Sequence, residues 1–260
     1  MKLTILGSGT SQGIPVIACD CPVCRSADPH DKRLRASAML DIKGKKIIID
    51  AGPDFRYQML RSQVKDLRAI LLTHGHKDHI GGLDDVRAFN WVKQGAVDVY
   101  GNEGTREVVY KDFSYAFAAF RYPGVPEINY HVIDARPFYI DDIQVVPIPV
   151  LHYKMPVLGF RIGNFAYITD AKTIPASSME RLKGVEYLVL RKELHMSHFN
   201  LEEALTMIAR IQPKSAFLTH IGHQMGLSAE VSKELPVQVK LAYDTLEIEI
   251  PDREIFENRS

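Results

Sequence analysis

Short apolar runs separated by glycine turns dominate the first half of the chain. The runs KLTILGSG, SAMLDIKGKKIIIDAGPD and LRAILLTH have the length and apolar pattern of β-strands. The pair Lys43-Gly44 lies within the second run and predicts a hairpin turn there. Residues 54–61 and 84–93 have helical composition, whereas the aromatic-rich residues 104–126 interrupt the strand pattern.

The strand pattern resumes near Ile128 and continues into the C-terminal tail. Its runs are NYHVID, FYIDDIQVVPIPV, VLGFRIGNFAYITD, EYLVLRK and KSAFLTH. One helix interrupts them: NLEEALTMIARI has Asn200 as its N-cap and Glu203 at the capping-box position, and it ends before Pro213. The tail, VQVKLAYDTLEIEI, predicts two further strands.

No charge run, proline- or serine-rich linker or low-complexity tract divides the chain. We therefore predict one α/β domain over residues 1–260, with two similar halves at about 1–127 and 128–260. In each half, several strands end in residue types that bind metals. This repetition predicts an α/β sandwich with a site where the halves meet.

The amino-acid composition limits the functional classes to which the protein can belong. The 260 residues are 46% hydrophobic and 25% charged, and 32 Lys and Arg balance 32 Asp and Glu. The formal net charge is therefore zero, and it does not attract the chain to nucleic acid or to an anionic membrane. The apolar stretch in MKLTILGSGTSQG is too short for a signal peptide, and no later run approaches the length of a membrane span. We predict a cytoplasmic protein, in whose reducing environment clustered cysteines favour metal binding over disulfides.

The stretch LLTHGHKDH carries the densest group of candidate metal ligands. Four ligand-type residues lie within six positions at the end of an apolar strand: His74, His76, Asp78 and His79. Gly75 lets the backbone turn tightly enough to direct several of these side chains inward. Buried without a metal, three imidazoles and a carboxylate would lose hydration and repel one another. The stretch therefore predicts a turn that can serve two metals.

The cysteines form a second candidate metal site. Cys19, Cys21 and Cys24 are the only cysteines, and they lie within six positions. Three thiols cannot all pair as disulfides, and a structural zinc takes four ligands. The intervening Asp20 and Pro22 are not typical of a core. The cluster predicts zinc binding with a fourth ligand elsewhere; the alternatives are a disulfide with a spare thiol, or independent small hydrophobic residues.

The His-x-His-x-Asp-His motif at 74–79 resembles the signature of the metallo-β-lactamase-fold hydrolases. The resemblance implies an αββα four-layer sandwich with a binuclear metal site in a groove. It also implies three further ligands in order along the chain, and His152, Asp170 and His220 match them. On this basis one metal is bound by His74, His76 and His152, the other by Asp78, His79 and His220, and Asp170 bridges the two.

The cysteine motif indicates one particular branch of this superfamily. Cys-x-Cys-x-x-Cys, together with His-x-x-His at His220 and His223, resembles the PhnP branch of this superfamily. Members of that branch are phosphodiesterases related to the tRNA 3′-processing endonucleases. The resemblance implies a structural zinc held by Cys19, Cys21, Cys24 and His223. Such a zinc would tie the N-terminal loop to the turn that presents His220.

The resemblance further implies an active-site histidine that is not a metal ligand, just ahead of a helix and about twenty residues before the last catalytic ligand. His198 matches this position and is predicted to protonate the leaving oxygen. His195 competes for this role or shares it, and Asp78 is grouped with both as catalytic. Asp50, at the end of the strand IIID, is predicted to orient a ligand histidine; the alternative is a turn-capping aspartate.

The sequence allows more than one role for two further features. Arg191 and Lys192 follow an apolar strand and are candidates for phosphate binding as surface cations. The aromatic segment 104–126 is compatible with core packing, with a homodimer contact or with a wall of the substrate site.

Together these residues predict a binuclear-metal-dependent phosphodiesterase that hydrolyses a small or cyclic phosphodiester by attack of a metal-bound hydroxide. The expected cofactors are two catalytic divalent metals, zinc or manganese, and one structural zinc. The expected partner is a small-molecule substrate, and a homodimer is compatible with the sequence. Neither nucleic acid nor a membrane is an expected partner. The alternatives are a tRNA 3′-processing endonuclease and a cofactor-biosynthesis binding protein on the same fold.

Overall fold

The computed structural model describes residues 1–120, 122–191 and 200–251. Its strands are β1 (Lys2–Gly7), β2 (Ser37–Ile42), β3 (Lys45–Ile49), β4 (Ala69–Leu71), β5 (Val97–Gly101), β6 (Ile128–Val132), β7 (Phe138–Ile140), β8 (Ile143–His152), β9 (Met155–Ile162), β10 (Phe165–Ile168), β11 (Tyr187–Arg191), β12 (Ser215–Thr219), β13 (Val239–Leu241) and β14 (Glu247–Glu249). Its α-helices are α1 (Pro22–Arg25), α2 (Phe55–Arg61), α3 (Lys77–Ile80), α4 (Arg87–Lys93), α5 (Glu103–Asp112), α6 (Ser114–Phe117), α7 (Ala176–Arg181), α8 (Leu201–Ile211) and α9 (Ser228–Val231). None of the helices in these three ranges is long and apolar enough to cross a membrane.

The strands form two seven-stranded mixed sheets. The first has the order β14-β1-β2-β3-β4-β5-β6, with antiparallel pairing from β14 to β3 and parallel pairing from β3 to β6. The second has the order β13-β12-β11-β10-β9-β8-β7, parallel from β13 to β10 and antiparallel from β10 to β7. The carboxyl ends of parallel strands meet at one edge of a sheet, which is where open α/β sheets bind ligands.

Apolar side chains fill the space between the sheets and the space outside each of them. Leu40 of the first sheet and Phe160 of the second are fully buried in one central cluster. Outside the first sheet, α2 and α5 bury Phe55 and Val109 against its outer face. Outside the second sheet, α8 buries Ile208 in a third cluster. These four layers confirm the predicted αββα sandwich of the metallo-β-lactamase fold.

Two local sequence signals are confirmed in detail. β2 and β3 form an antiparallel hairpin in which Lys43 and Gly44 have φ angles of 51° and 84°, a left-handed conformation that glycine adopts without strain. α8 begins with a capping box, in which the Asn200 side chain accepts a hydrogen bond from the Glu203 amide and the Glu203 carboxylate accepts one from the Asn200 amide.

The division between the sheets differs from the predicted halves. β6 pairs in parallel with β5 and completes the first sheet, which therefore extends to Val132. From the tail, β13 joins the second sheet, whereas β14 returns to pair with β1 in the first. A local alternation of apolar residues identifies a strand but contains no information about its neighbour, so the pattern could not place these pairings.

The aromatic segment contributes to the outer layer. Val109, Phe113 and Ala116 are buried against the first sheet, so much of the segment is core packing. Phe120, by contrast, is 89% exposed. The N-terminal turn of α5 also lines a cavity together with His74 and His76.

Candidate active site

The predicted ligands lie at the ends of strands from both sheets, and these ends meet in one place. β4 ends at Leu71 and leads into the His-rich turn and α3, while Asp170 and His220 follow β10 and β12. β8 of the second sheet, which is separated from β10 by β9, ends at His152. The site therefore lies at the edge where the parallel strands of the two sheets end.

The first donor cluster consists of His74, His76 and Asp170, whose ligand atoms lie within 4.8 Å of one another. His74 Nε2 is 3.0 Å from His76 Nδ1 and 3.9 Å from Asp170 Oδ1. The His152 ring centroid is 5.4 Å from that of His76, so this imidazole borders the cluster. A β-carbon on Gly75 would lie 3.0 Å from Val108 Cβ, so glycine allows α5 to pack against the turn.

The second donor cluster consists of Asp78, His79 and His220, again within 4.8 Å. Asp78 Oδ2 is 3.2 Å from His79 Nε2 and 3.4 Å from His220 Nε2. Asp170 Oδ2 lies 3.3 Å from His79 Nε2 and 3.7 Å from His220 Nε2. Because its other oxygen faces His74, the Asp170 carboxylate reaches both clusters.

The electrostatics of the two clusters favour the metal-binding protonation states of His74, His220 and Asp78. Burial, together with neighbouring histidines, lowers the pKa of His74 well below its usual value, and burial lowers the pKa of His220 to about 4. Both imidazoles are therefore neutral at pH 7, which is the form that binds metals. Burial alone would raise the pKa of Asp78, but the adjacent imidazoles of His220 and His79 outweigh it and lower the pKa. This carboxylate is ionised.

The donor set fits a pair of divalent metals. His79 Nε2 is buried and makes no hydrogen bond to any residue that the structure describes, although it points between two carboxylates. A buried nitrogen without a hydrogen bond is costly unless another group satisfies it. Imidazole nitrogens and carboxylate oxygens are ligands that zinc, manganese and iron share.

The three cysteines and His223 form a separate cluster. Their sulfur atoms lie 3.2, 3.4 and 3.6 Å from His223 Nδ1, in the order Cys19, Cys21 and Cys24. No disulfide joins them. The backbone amide of Cys24 donates to Cys21 and lowers the pKa of that thiol to about 6, whereas burial raises the pKa of Cys24 to about 11. Three sulfurs around one imidazole nitrogen match a tetrahedral zinc site.

Comparison with known proteins assigns the family. Residues 45–221 match the family model of the beta-lactamase superfamily domain, which is more than half of the chain. This chain belongs to the β-lactamase superfamily. A solved superfamily structure, described as a new diphosphatase from the PhnP family, is 39% identical, with a TM-score of 0.91 over 98% of this chain and 99% of that one. The predicted resemblance to the PhnP branch is thereby confirmed.

Two curated relatives extend the comparison. A protein of Porphyromonas gingivalis named octanoyltransferase is 39% identical over 98% of this chain and 53% of its own length. A ribonuclease Z of Nostoc punctiforme is 30% identical over 63% of this chain and 47% of its own length. The chain thus spans about half the length of these curated relatives.

Asp50 contacts the second donor cluster through His79. It is fully buried, and its Oδ2 lies 2.7 Å from His79 Nδ1. Its Oδ1 accepts a hydrogen bond of 2.9 Å from the Thr73 amide. Burial would lower the pKa of His79, but the charge and hydrogen bond of Asp50 help to raise it to about 9. Asp50 thereby fixes the ring so that Nε2 faces the cluster.

Replacement of Asp50 by asparagine is expected to weaken metal binding at the second cluster by about 10- to 100-fold, because the ring of His79 loses the carboxylate that orients it. Competition with a chromogenic chelator measures this affinity. The exposed Asp66 provides a matched control, and Asp66→Asn is expected to bind metal as the unmodified protein does. Equal affinity in all three proteins would support the alternative that Asp50 only caps the turn.

His195, His198 and Lys192 lie outside the described residues. Arg191 is not a surface cation: its side chain is 3% exposed and forms an ion pair with Asp170. Arg191 ends an apolar strand, and its burial follows from the strand order, which places β11 between the strands that lead to Asp170 and His220.

Proposed function

We propose that this protein is a metal-dependent phosphodiesterase that hydrolyses a small or cyclic phosphodiester. The observation that carries the proposal is the position of Asp170, whose two oxygens face separate donor clusters at one strand edge. The 39% identity with a PhnP-family diphosphatase supports a phosphoryl substrate. The name octanoyltransferase belongs to a relative of which this chain matches only about half.

The proposed ligands follow the two clusters. Zinc or manganese are the metals expected at the pair, and the proposed ligands are His74, His76, His152, Asp78, His79, His220 and the shared Asp170. When bound, two such metals activate water and neutralise charge on the phosphoryl group. The chain's own contribution is to keep the imidazoles of His74 and His220 neutral and the carboxylate of Asp78 ionised. We propose His198, with His195 as its competitor, as the proton donor to the leaving oxygen.

We also propose that Cys19, Cys21, Cys24 and His223 hold one structural zinc. The three sulfur distances to His223 Nδ1 and the lowered pKa of Cys21 support this assignment. The zinc would have no direct part in the reaction.

Hydrolysis of bis(p-nitrophenyl) phosphate tests the activity. The protein loaded with Zn²⁺ or Mn²⁺ is expected to release p-nitrophenolate, and His76→Ala is expected to lower this rate at least about 100-fold, because it removes a proposed ligand. A matched control is His131→Ala, which removes a partly exposed imidazole hydrogen-bonded to Asp98 and is expected to retain the rate. No hydrolysis with Zn²⁺, Mn²⁺, Co²⁺ or Ni²⁺ would overturn the proposal.

A tRNA 3′-processing endonuclease is the second candidate, and the ribonuclease Z relative favours it. The zero net charge of the chain argues against it, because tRNA binding depends on phosphate neutralisation. Tight tRNA binding whose affinity falls steeply with salt, accompanied by 3′ cleavage, would establish this candidate instead.

A further inference from the structure

A cavity of about 370 Å³ opens beside the first donor cluster. Its floor is formed by residues 74–76, so it shares two imidazoles with the proposed metal pair. One wall is residues 102–105 with Val108, from the first turns of α5, and the other is Met155 and Pro156 at the start of β9. A phosphodiester with its phosphorus at the metal pair would therefore place one of its two substituents within reach of this cavity.

We propose that this cavity holds an uncharged organic substituent of the phosphodiester, of about the size of one aromatic ring, and so selects the substrate. The proposal rests on the proposed phosphodiesterase activity and names the class of substituent that the site accepts.

The lining supports an uncharged occupant. Val108, Met155 and Pro156 present apolar surface, and Thr105 is a neutral polar residue. Histidines aside, Glu103 is the one lining residue with a formal charge among those the structure describes. The described lining contains no lysine or arginine, and the nearby Arg106 is already ion-paired with Glu103, so a second phosphate or a carboxylate would meet a carboxylate and no cation of the lining.

The size supports a single small group. Cavities for drug-sized ligands span about 300 to 1,000 Å³, and this one lies near the lower end of that range. A methyl group would leave much of it unfilled, whereas a phenyl ring offers more apolar surface to Val108, Met155 and Pro156. Burial of apolar surface from both walls and the ring then favours the larger substituent.

The α5 wall is held in place by several contacts. Lys77 Nζ lies 2.5 Å from Asp112 Oδ2, which joins the His-rich turn to the end of the helix. Tyr130 donates a hydrogen bond of 3.2 Å to the Asn102 carbonyl at its start. A cavity with a fixed wall selects substituents by shape, because binding does not require the wall to move.

Gly104 offers a direct test. A β-carbon at this position would have Asn102 Oδ1 as its nearest neighbour at 3.7 Å, so the backbone accepts a larger residue at a position that lines the cavity. The expected effect of Gly104→Phe is a loss of the preference for a ring-sized substituent. A matched control is Gly95→Phe, at a glycine outside this cavity with no atom within 4 Å of its added β-carbon.

The experiment compares methyl, phenyl and 4-carboxyphenyl p-nitrophenyl phosphates, which share one leaving group. For the metal-loaded protein, we expect kcat/KM for the phenyl diester to exceed that for the methyl diester about tenfold or more, and the carboxyphenyl diester to be poorer than the phenyl one. Gly104→Phe is expected to remove most of the phenyl-to-methyl ratio, mainly through KM, and Gly95→Phe to preserve it.

A binding measurement gives a second readout that does not depend on turnover. Calorimetry with phenyl phosphate and methyl phosphate is expected to show tighter binding of phenyl phosphate, and Gly104→Phe is expected to reduce this difference. If all three diesters are hydrolysed with equal kcat/KM, or if Gly104→Phe leaves the ratio and the binding difference unchanged, the subsite is wrong while the phosphodiesterase stands. If none is hydrolysed, the proposed function itself fails.

Discussion

Replacement of Asp170 by asparagine is expected to lower kcat for bis(p-nitrophenyl) phosphate by about 1,000-fold or more. The reason is its position: one carboxylate faces His74 through Oδ1 and faces His79 and His220 through Oδ2. An amide of the same shape has no charge to hold two cations side by side. A metal pair supplies several kcal/mol of charge stabilisation, and about 4 kcal/mol corresponds to about 1,000-fold in rate.

Metal analysis separates this explanation from simple unfolding. Asp170→Asn is expected to retain the zinc of the cysteine cluster and to lose one or both metals of the catalytic pair. Asparagine also removes the charge partner of the buried Arg191, so thermal unfolding of the metal-free protein is measured in parallel. A variant that keeps three metals per chain and full activity would contradict the shared-ligand assignment of Asp170.

Replacement of His223 by alanine is expected to remove one zinc per chain and to destabilise the protein by about 3–5 kcal/mol, because structural zinc contributes its binding energy to folding. For a chain of this size, 1 kcal/mol corresponds to about 2–4 °C in Tm, so a decrease of about 10 °C is expected. Differential scanning calorimetry and metal analysis measure the two effects. His131→Ala, outside the cluster, is expected to keep both the zinc and the Tm.

The expected effect on activity of His223→Ala is smaller than the effect on stability. The N-terminal loop is already joined to the residue after His220, because the Ile221 amide donates to Ser8 and the Ile221 carbonyl accepts from Thr10, at 2.9 and 3.1 Å. The zinc would be a second connection between the same two segments. A variant with unchanged Tm and unchanged zinc content would show that the cysteine cluster is not a structural metal site.

The candidate site was largely predictable because its ligands are close in sequence or follow recognisable strands. His74, His76, Asp78 and His79 share one turn, and each of the other three follows or ends an apolar run. The matching fourth residue of the cysteine cluster, His223, could be found only through the resemblance to the PhnP branch. Nothing in the local sequence around position 223 indicates a contact with residues about two hundred positions away.

Arg191 illustrates where sequence reasoning failed. An arginine at the end of a strand is ordinarily exposed, because burial of a guanidinium is costly without a partner. The partner here is Asp170, which follows the adjacent strand β10. The order β10-β11-β12 places the arginine between two ligand-bearing strands, and strand order is not contained in the apolar pattern.

The sequence by itself determined the layered α/β class, the individual strands and the ligand types, because periodicity, caps and metal-ligand motifs are local properties of the chain. The tertiary structure decided what depends on distant residues: the return of β14 to the first sheet, the position of Asp170 between two clusters, the burial of Arg191 and the cavity between α5 and β9. These features arise where strands pair and layers pack, and the energies of pairing and packing belong to residues that are neighbours only in the folded chain.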